Sequence, residues 1–274
     1  MKKFIFLLFS FLLSSVYAQQ DMHWRAVYQY KRVLNEKQKA RRDSLIQAQP
    51  AMAEMMKSFY KRFDNRTYFL DFTTNESVYK EKEKLSKGRS SMRILQDRLL
   101  YKNLQKKMYR EKRPSFQNTY LIIDSLPDYH WKITGETKKI GDYTVIKAEG
   151  TEKIRKLKKS KDVIKEKDSK KEFEEVEKKV VAWFTPELPI SNGPGKYWGL
   201  PGLIMEVNKD GEVILLKELI INPTKYNEIK KPEEGEKLNE KEYREKMKKE
   251  RERMEKMYKN RRSGKNSQRI SITL

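Results

Sequence analysis

Few side chains in this sequence are of the kind that do chemistry, and their spacing restricts what they can do. The 274 residues include two histidines, His23 and His130, and no cysteine. A Cys/His zinc site and a cysteine nucleophile are therefore excluded, and a serine triad would need one of the two imidazoles as its base. His130 stands between Tyr129 and Trp131 in a β-rich segment, which predicts a packed or rim histidine inside a strand rather than a general base. No Gly-Xaa-Ser-Xaa-Gly elbow, phosphate-binding glycine loop or His-Glu-Xaa-Xaa-His motif occurs. Carboxylate pairs such as Glu187 with Glu206 exist, but with 39 acidic residues such pairs arise by chance. The sequence thus designates no catalytic residue, no cofactor and no metal ligand. A carboxylate-dependent hydrolase stands only as an alternative.

What remains is binding, and one stretch concentrates the residue types suited to it. Residues 183–207 hold four of the nine prolines and four of the eleven glycines, so their backbone is specified almost residue by residue. Lys179–Thr185 reads as a strand that Pro186 ends, since proline restricts the residue before it and supplies no ladder donor. A fixed proline-glycine loop follows, and Leu203–Val207 resumes the sheet. Trp183, Tyr197 and Trp198 are the candidate contact residues for an apolar ligand or partner segment, with aromatic packing around a tight loop as the competing reading. Gly199-Leu-Pro-Gly202 is too short and apolar to cradle a phosphate.

The elements that would position this loop are mostly strands. Large residues alternate from Trp24 to Tyr30, the mark of a half-buried strand. Residues 36–62 carry Leu45, Ala48, Met52, Met55, Met56, Phe59 and, just beyond, Phe63 at helical spacings around Pro50, predicting two short helices or one broken one. The methionine stripe is read as packing rather than a ligand groove or soft-metal site. Strands at 67–72 and 76–79 flank a Thr-Thr-Asn turn, and 80–93 is a polar loop. Residues 94–113 suit a helix or a basic, exposed strand after Leu99; length favours the strand. Strands at 118–123 and 129–134 precede a hairpin, 136–140 with 143–148, turning at Gly141-Asp142, and a second hairpin turns at Asp210-Gly211 between 203–207 and 212–221. The fold expected is mainly β (α+β): a curved antiparallel sheet or half-barrel of roughly eight strands with helices on one face. Residues 150–179 form a charged, solvated insert, either disordered or a charged hairpin or helix, and 225–274 a charged tail with a helix over Asn239–Arg262 and a terminal edge strand from Ile270.

Composition fixes the expected compartment. Lys2 and Lys3 precede a short apolar run and a small residue at Ala18, the pattern of a signal peptide cut between Ala18 and Gln19, leaving a β-rich domain over 19–224. No later stretch is apolar enough for a transmembrane helix, and no cysteine is present to carry lipid, so a periplasmic or secreted protein follows. With 62 basic against 39 acidic residues, acidic partners are favoured, among them lipid, lipopolysaccharide or an envelope protein. Export argues against nucleic acid. A basic protein docking to anionic surface polymers through 150–179 and 239–262 is the alternative to a binding or assembly factor.

The loop also carries a resemblance. Trp183-Phe-Thr-Pro-Glu, Gly193-Pro194-Gly-Lys-Tyr-Trp and the hexapeptide Gly199, Leu200, Pro201, Gly202, Leu203, Ile204 resemble the signature of the GLPGLI family, exported proteins of Bacteroidota. Together with the hairpin from Trp131 to Ile140, the resemblance spans about Tyr28 to Ile221. Thr144-Val145 stands where the family often has a cysteine or small residue, and the insert and tail are longer and more charged than the pattern requires. The resemblance implies a compartment, and a structural role for Pro186, Gly193, Pro194 and the hexapeptide, but no enzymatic activity. Asp43-Ser44-Leu45 and Asp124-Ser125-Leu126 resemble the O-glycosylation acceptor of such exported proteins, making Ser44 and Ser125 candidates.

Overall fold

The computed structural model describes residues 22–82, 97–115, 118–157 and 173–270. The cleavage point Ala18–Gln19 and the centre of the charged insert lie outside the described residues. Twelve strands build one sheet: β1 (Trp24–Arg32), β2 (Asn65–Phe72), β3 (Glu76–Glu81), β4 (Leu99–Asn103), β5 (Met108–Pro114), β6 (Thr119–Ser125), β7 (Lys132–Ile140), β8 (Tyr143–Leu157), β9 (Phe173–Thr185), β10 (Leu203–Lys209), β11 (Glu212–Ile221) and β12 (Glu236–Leu238). Their spatial order is β12-β6-β5-β4-β3-β2-β1-β11-β10-β9-β8-β7. The sheet is open, and β12, parallel to β6, makes it mixed. A mainly β fold with a curved sheet and helices is what the alternating pattern predicts. Against the eleven strands expected one by one before the tail, 129–134 and 136–140 merge into β7, residues 94–113 supply a hairpin, β4 and β5, in place of one strand, and the tail adds β12, so the sheet has twelve strands rather than roughly eight.

Register decides which side chains look inward. Residues directly opposite in antiparallel strands share a face, and that face repeats every second residue. Tyr30 pairs with Arg66, Tyr28 with Tyr68, Leu70 with Tyr79 and Ser77 with Lys102. Lys102 in turn pairs with Tyr109, Glu111 with Ile122, and Arg113 with Tyr120. One continuous inner face therefore runs from β1 to β6, tyrosine-rich, with Arg66, Lys102, Glu111 and Arg113 set into it. Three apolar clusters fill the interior. Trp24, Tyr28, Phe72 and Leu203 belong to the first, Phe184, Tyr197, Leu200 and Ile204 to the second, and Tyr109, Tyr120 and Ile122 to the third.

Of the forms open to the charged insert at 150–179, the described residues show the hairpin. β8 continues to Leu157 and β9 starts at Phe173, so both described ends form one long charged hairpin. The register explains it: Glu152 lies opposite Lys178, Lys153 opposite Glu177, Arg155 opposite Glu175 and Lys156 opposite Glu174. Cross-strand pairs of opposite charge favour pairing, where the Lys/Glu composition alone suggests a solvated segment.

The helices also depart from expectation. α1 (Glu36–Gln47) opens with a capping box in which Asn35 and Gln38 satisfy each other's backbone, and a 3-10 turn at Pro50–Met52 leads into α2 (Ala53–Phe63). Neither helix contains a buried residue, and Leu45, Met52, Met55 and Phe59 stay exposed. The methionine stripe is therefore not core. The pair is held by Arg42, which binds Asp64 and stacks on Tyr60, while Ile46, Met56, Tyr60 and Phe63 are half-buried. The tail helix, α3 (Glu240–Ile270), runs past the expected end and takes in Ile270, which closes the helix instead of starting an edge strand; 271–274 lie outside the described residues. His130, expected inside a strand, precedes β7 with φ +49° and an exposed ring 3.3 Å from Asp128.

Candidate functional site

The proline-glycine loop, residues 186–202, lies against the inner side of the sheet and is tied there at several points. Leu203 N–H donates to the Leu188 carbonyl and Ile204 N–H to that of Asn192, both at 2.9 Å, and the Tyr28 hydroxyl donates to the Ile204 carbonyl at 2.6 Å. Gly202 sits so close to β9 that a Cβ there would stand 2.0 Å from the Thr185 carbonyl oxygen. Gly193 is pressed under Ile204, whose Cβ would be 2.8 Å from any added methyl. Gly199 needs its φ of +94°, a conformation L side chains rarely adopt. Pro194, Leu200, Leu203 and Ile204 are buried, whereas Pro186 and Pro201 turn outward.

A lysine from the opposite wall pins this loop. Lys102 on β4 is fully buried, and its Nζ donates to the carbonyls of Gly193 at 2.6 Å and Tyr197 at 3.3 Å. Burial lowers its pKa from 10.5 to about 7. The expected basic, exposed strand after Leu99 is thus overturned: its central lysine is among the most buried side chains in the protein. A pattern was present in the sequence, since Leu100, Lys102 and Leu104 alternate in period two, which aims the lysine toward the same side as the leucines.

The three aromatic candidates do not converge. Trp183 packs with the first apolar cluster beneath the Lys138 ammonium, 4.2 Å above its ring, and Lys138 is paired with Glu206 at 2.5 Å. Tyr197 is buried against Tyr129 with ring centroids 5.0 Å apart, and its hydroxyl donates to Glu152 at 3.2 Å. Trp198 spans the second and third clusters; its Nε1 donates to the Pro127 carbonyl, and its own carbonyl accepts from Trp131 Nε1, both at 2.8 Å. These rings close the core around the loop, and none lines either of the cavities described below. Glu187 and Glu206 act separately, since Glu187 accepts from the Thr144 N–H and Glu206 from Lys138.

Two cavities adjoin the loop. The larger, about 1370 Å³, lies between β6, β8 and α3, with Tyr120, Ser125, Ile154, Met247, Met254 and Met257 among its walls. Helix α3 is fixed at its start by a reciprocal Asn239–Glu242 capping box and by Asp124, which accepts the Glu240 N–H at 3.1 Å. Farther along, Tyr120 donates to Glu250 at 3.0 Å, and Arg244 reaches Glu175 of β9 at 3.5 Å, so the helix bridges the open side of the sheet. The smaller cavity, about 680 Å³, lies over the floor of β1 to β5, lined by Tyr30, Arg66, Tyr68, Tyr79, Leu100 and Arg113 among others.

Lys196 and Tyr243 border both cavities, and between them sits a buried ionic cluster. Arg113 binds Glu111 at 2.6 Å and Glu240 at 2.8 Å; Lys196 lies 3.4 and 3.3 Å from the same carboxylates; Arg98 also binds Glu111. Burial alone would raise the Glu111 carboxyl, but the Arg113 hydrogen bond and the charges of Arg98, Arg113 and Lys196 outweigh it and hold it at about 2. The same contest, settled by Arg113 and Lys196, leaves Glu240 at about 2. A general acid needs the opposite displacement, toward neutrality. Ser125 is exposed on the rim of the larger cavity, and Ser44 is exposed on α1. Among the described residues no group of three or more His, Asp or Glu is arranged to hold a metal, and no helix is long and apolar enough to cross a membrane.

One segment of the chain is similar to a known family. Residues 131–206 match a family described as Protein of unknown function (Porph_ging). The matched segment runs from Trp131, across β7 to β9, through the loop and into β10. No curated protein matches the chain. Among solved structures, PNGF-II is similar in its C2 and P21 crystal forms, with TM-scores of 0.46 and 0.47 at 12% and 11% identity. Each match covers 82% of this chain and 32% of the PNGF-II chain, so the chain spans about a third of that protein's length.

Proposed function

We propose that this is an exported, envelope-associated binding protein of the GLPGLI type, non-enzymatic, which holds an apolar or lipid-like ligand in the groove beneath α3. One observation carries the reading. Tyr243, Met247, Met254 and Met257 fall at i, i+4, i+11 and i+14, one stripe of a helix, and all four line the larger cavity. Tyr243 and Met247 join the third apolar cluster, whereas Met254 and Met257 keep most of their side chains uncovered beside Ile154. An apolar stripe that starts in the core and runs out into a groove of this size offers a contact surface, and methionine suits ligands of varied shape. Export rests on the leader-like residues 1–18, and the basic balance of the chain favours acidic partners. The lowered carboxylates beside the groove support binding over acid/base hydrolysis.

The test uses the mature protein and the neutral apolar dye N-phenyl-1-naphthylamine. Uptake with a micromolar Kd is expected, and Met254→Lys/Met257→Lys should weaken it by about tenfold or more, because two buried apolar contacts of about 1.5 kcal/mol or more each would be lost. Uptake that is absent, or unchanged in the double variant, would sink the reading.

A further inference from the structure

The smaller cavity has a different chemistry from the groove under α3. Its floor is the tyrosine-rich inner face of β1 to β5, and its wall carries five cations, Arg62, Arg66, Arg98, Arg113 and Lys196, against two carboxylates, Glu81 and Glu111. Arg98, Arg113 and Lys196 are engaged by Glu111, and Glu81 is itself partnered. Arg62 and Arg66 have no carboxylate partner among the described residues.

Arg66 is the unusual member. Its guanidinium stacks over the Tyr30 ring at 4.5 Å and stands 5.7 and 5.9 Å from the rings of Tyr68 and Phe63. Stacking satisfies the face of a guanidinium but none of its five N–H donors, which point outward in the plane of the group. Its Nε is withdrawn from solvent without an acceptor. A donor buried in this way is costly to leave unmatched and is matched best by a planar or tetrahedral anion that takes two N–H groups at once. Around it, Tyr68 and Tyr79 stack at 4.9 Å, and burial raises both phenols, Tyr68 to about 12, so each hydroxyl stays a neutral donor. Leu100 and Ile214 supply apolar wall.

From this arrangement we infer that the smaller cavity is a binding site for an organic anion, a carboxylate or phosphate group carried on an apolar body, with Arg66 as the anion anchor and Arg62 at the rim. The volume of about 680 Å³ lies within the range of small-ligand pockets, and aromatic walls with a few converging donors are the usual composition of such sites. The site is separate from the groove under α3, across the Arg113–Glu240 cluster, so its test is independent of the proposed function.

Isothermal titration of the mature protein with dodecanoate, dodecyl phosphate, dodecanol and inorganic phosphate distinguishes the possibilities. The measurements are made in a Met254→Asn/Met257→Asn background, which removes apolar contact from the groove under α3 without adding a cation to it. At least one alkyl anion should bind about tenfold or more tighter than both dodecanol and inorganic phosphate, the scale of a charge-assisted hydrogen-bond pair. Arg66→Met should remove that preference, and Arg62→Met should weaken it several-fold with the folded far-ultraviolet circular dichroism signal retained. Should Arg66→Met unfold the chain, Arg66→Lys replaces it and should lose most of the affinity, because an ammonium lacks the planar fork. Equal binding of dodecanol, inorganic phosphate binding as tightly as the alkyl anions, no binding of any probe, or affinity unchanged in a folded Arg66 variant would each overturn the inference.

Discussion

Replacing Lys102 by methionine removes the one ammonium that reaches the signature loop from β4, and the consequence is a change in the pH dependence of stability. Burial lowers the lysine from 10.5 to about 7, a separation of 10.5 − 7 = 3.5 pH units. At about 1.4 kcal/mol per unit this caps the destabilisation by the buried ammonium at about 5 kcal/mol. The carbonyls of Gly193 and Tyr197 favour the charged form and hold the true figure below that cap. Below pH 7 both folded and unfolded chains keep the proton, and the full cost is present. Between pH 7 and 10.5 the unfolded chain binds more protons than the folded one, so stability rises with pH, and above 10.5 the cost is gone. Methionine has no such titration. It leaves two carbonyls without a donor, at about 1 to 3 kcal/mol each, but that loss is independent of pH. Urea unfolding of both proteins at pH 7, 8.5 and 10 separates the two contributions. The stability of the natural protein minus that of Lys102→Met should rise by up to about 4 kcal/mol between pH 7 and 10. Parallel profiles would mean that Lys102 is not a buried titrating group, and the account of how the loop is pinned would fall with it.

Three other outcomes follow from the same contacts. Gly202→Ala places a methyl against the Thr185 backbone and should lower stability by about 2 kcal/mol or more, read as a drop in thermal midpoint; an unchanged midpoint would show that the loop is not seated on β9. Glu111 is held at about 2 in the folded chain, so its ion pairs stabilise above its ordinary value of 4.5 and that contribution is lost as pH falls toward 2. Glu111→Gln should therefore cost roughly 3 kcal/mol at pH 7 and give a shallower acid-unfolding curve by circular dichroism, whereas equal acid sensitivity would refute the pairing. Ser44 and Ser125 are exposed hydroxyls in Asp-Ser-Leu tripeptides, and with the proposed export the protein should carry a mass excess that disappears in Ser44→Ala or Ser125→Ala; an unmodified intact mass rejects both sites.

The legible parts of the fold are those where period and punctuation agree. Trp24 to Tyr30 shows an unbroken period of two, and the Gly141-Asp142 and Asp210-Gly211 turns stand between β-rich runs; the first appears as strand β1 and the others as hairpins in place. At 150–179 the sequence leaves disorder, a charged hairpin and a helix open, because lysine and glutamate in excess suit all three until the register sets Glu152 against Lys178 and Lys153 against Glu177. The methionine stripe of α1 and α2 misleads: helical spacing predicts a face to be buried, but only the tertiary arrangement shows whether anything lies across it. At the candidate site, the unusual composition of 183–207 drew notice to Trp183, Tyr197 and Trp198, which close the core. The groups that border the cavities, Arg66, Glu111, Arg113 and Lys196, are ordinary charged residues in a chain where 37% of residues are charged. Nothing local separates them from their neighbours, and their setting comes from cross-strand pairing at long range.

The role of the proline-glycine loop follows from what it divides. A curved twelve-strand sheet with an open side leaves more interior than its side chains fill, and a plain hairpin between β9 and β10 would leave that space continuous. The loop instead crosses the interior, fastened by Tyr28 and Lys102 from strands distant in sequence, and presents Lys196 at its tip to Glu111 and Glu240. Burial alone would weaken the Lys196 ammonium, and its pKa is lowered despite the two carboxylates, so the tip is held in place by charge in a poorly solvated setting. Arg113 and Tyr243, stacked at 4.8 Å, complete the wall from β5 and α3. One loop holding this wall leaves a cavity on each side, the larger bordered by Met247, Met254 and Met257 together with Arg244, Arg251 and Arg253, the smaller by Tyr30, Tyr68, Tyr79 and Arg66. The glycines that give the stretch its unusual composition are then needed for the close approach to Thr185 and Ile204 that seats the wall, and the two proposed binding cavities lie on either side of it.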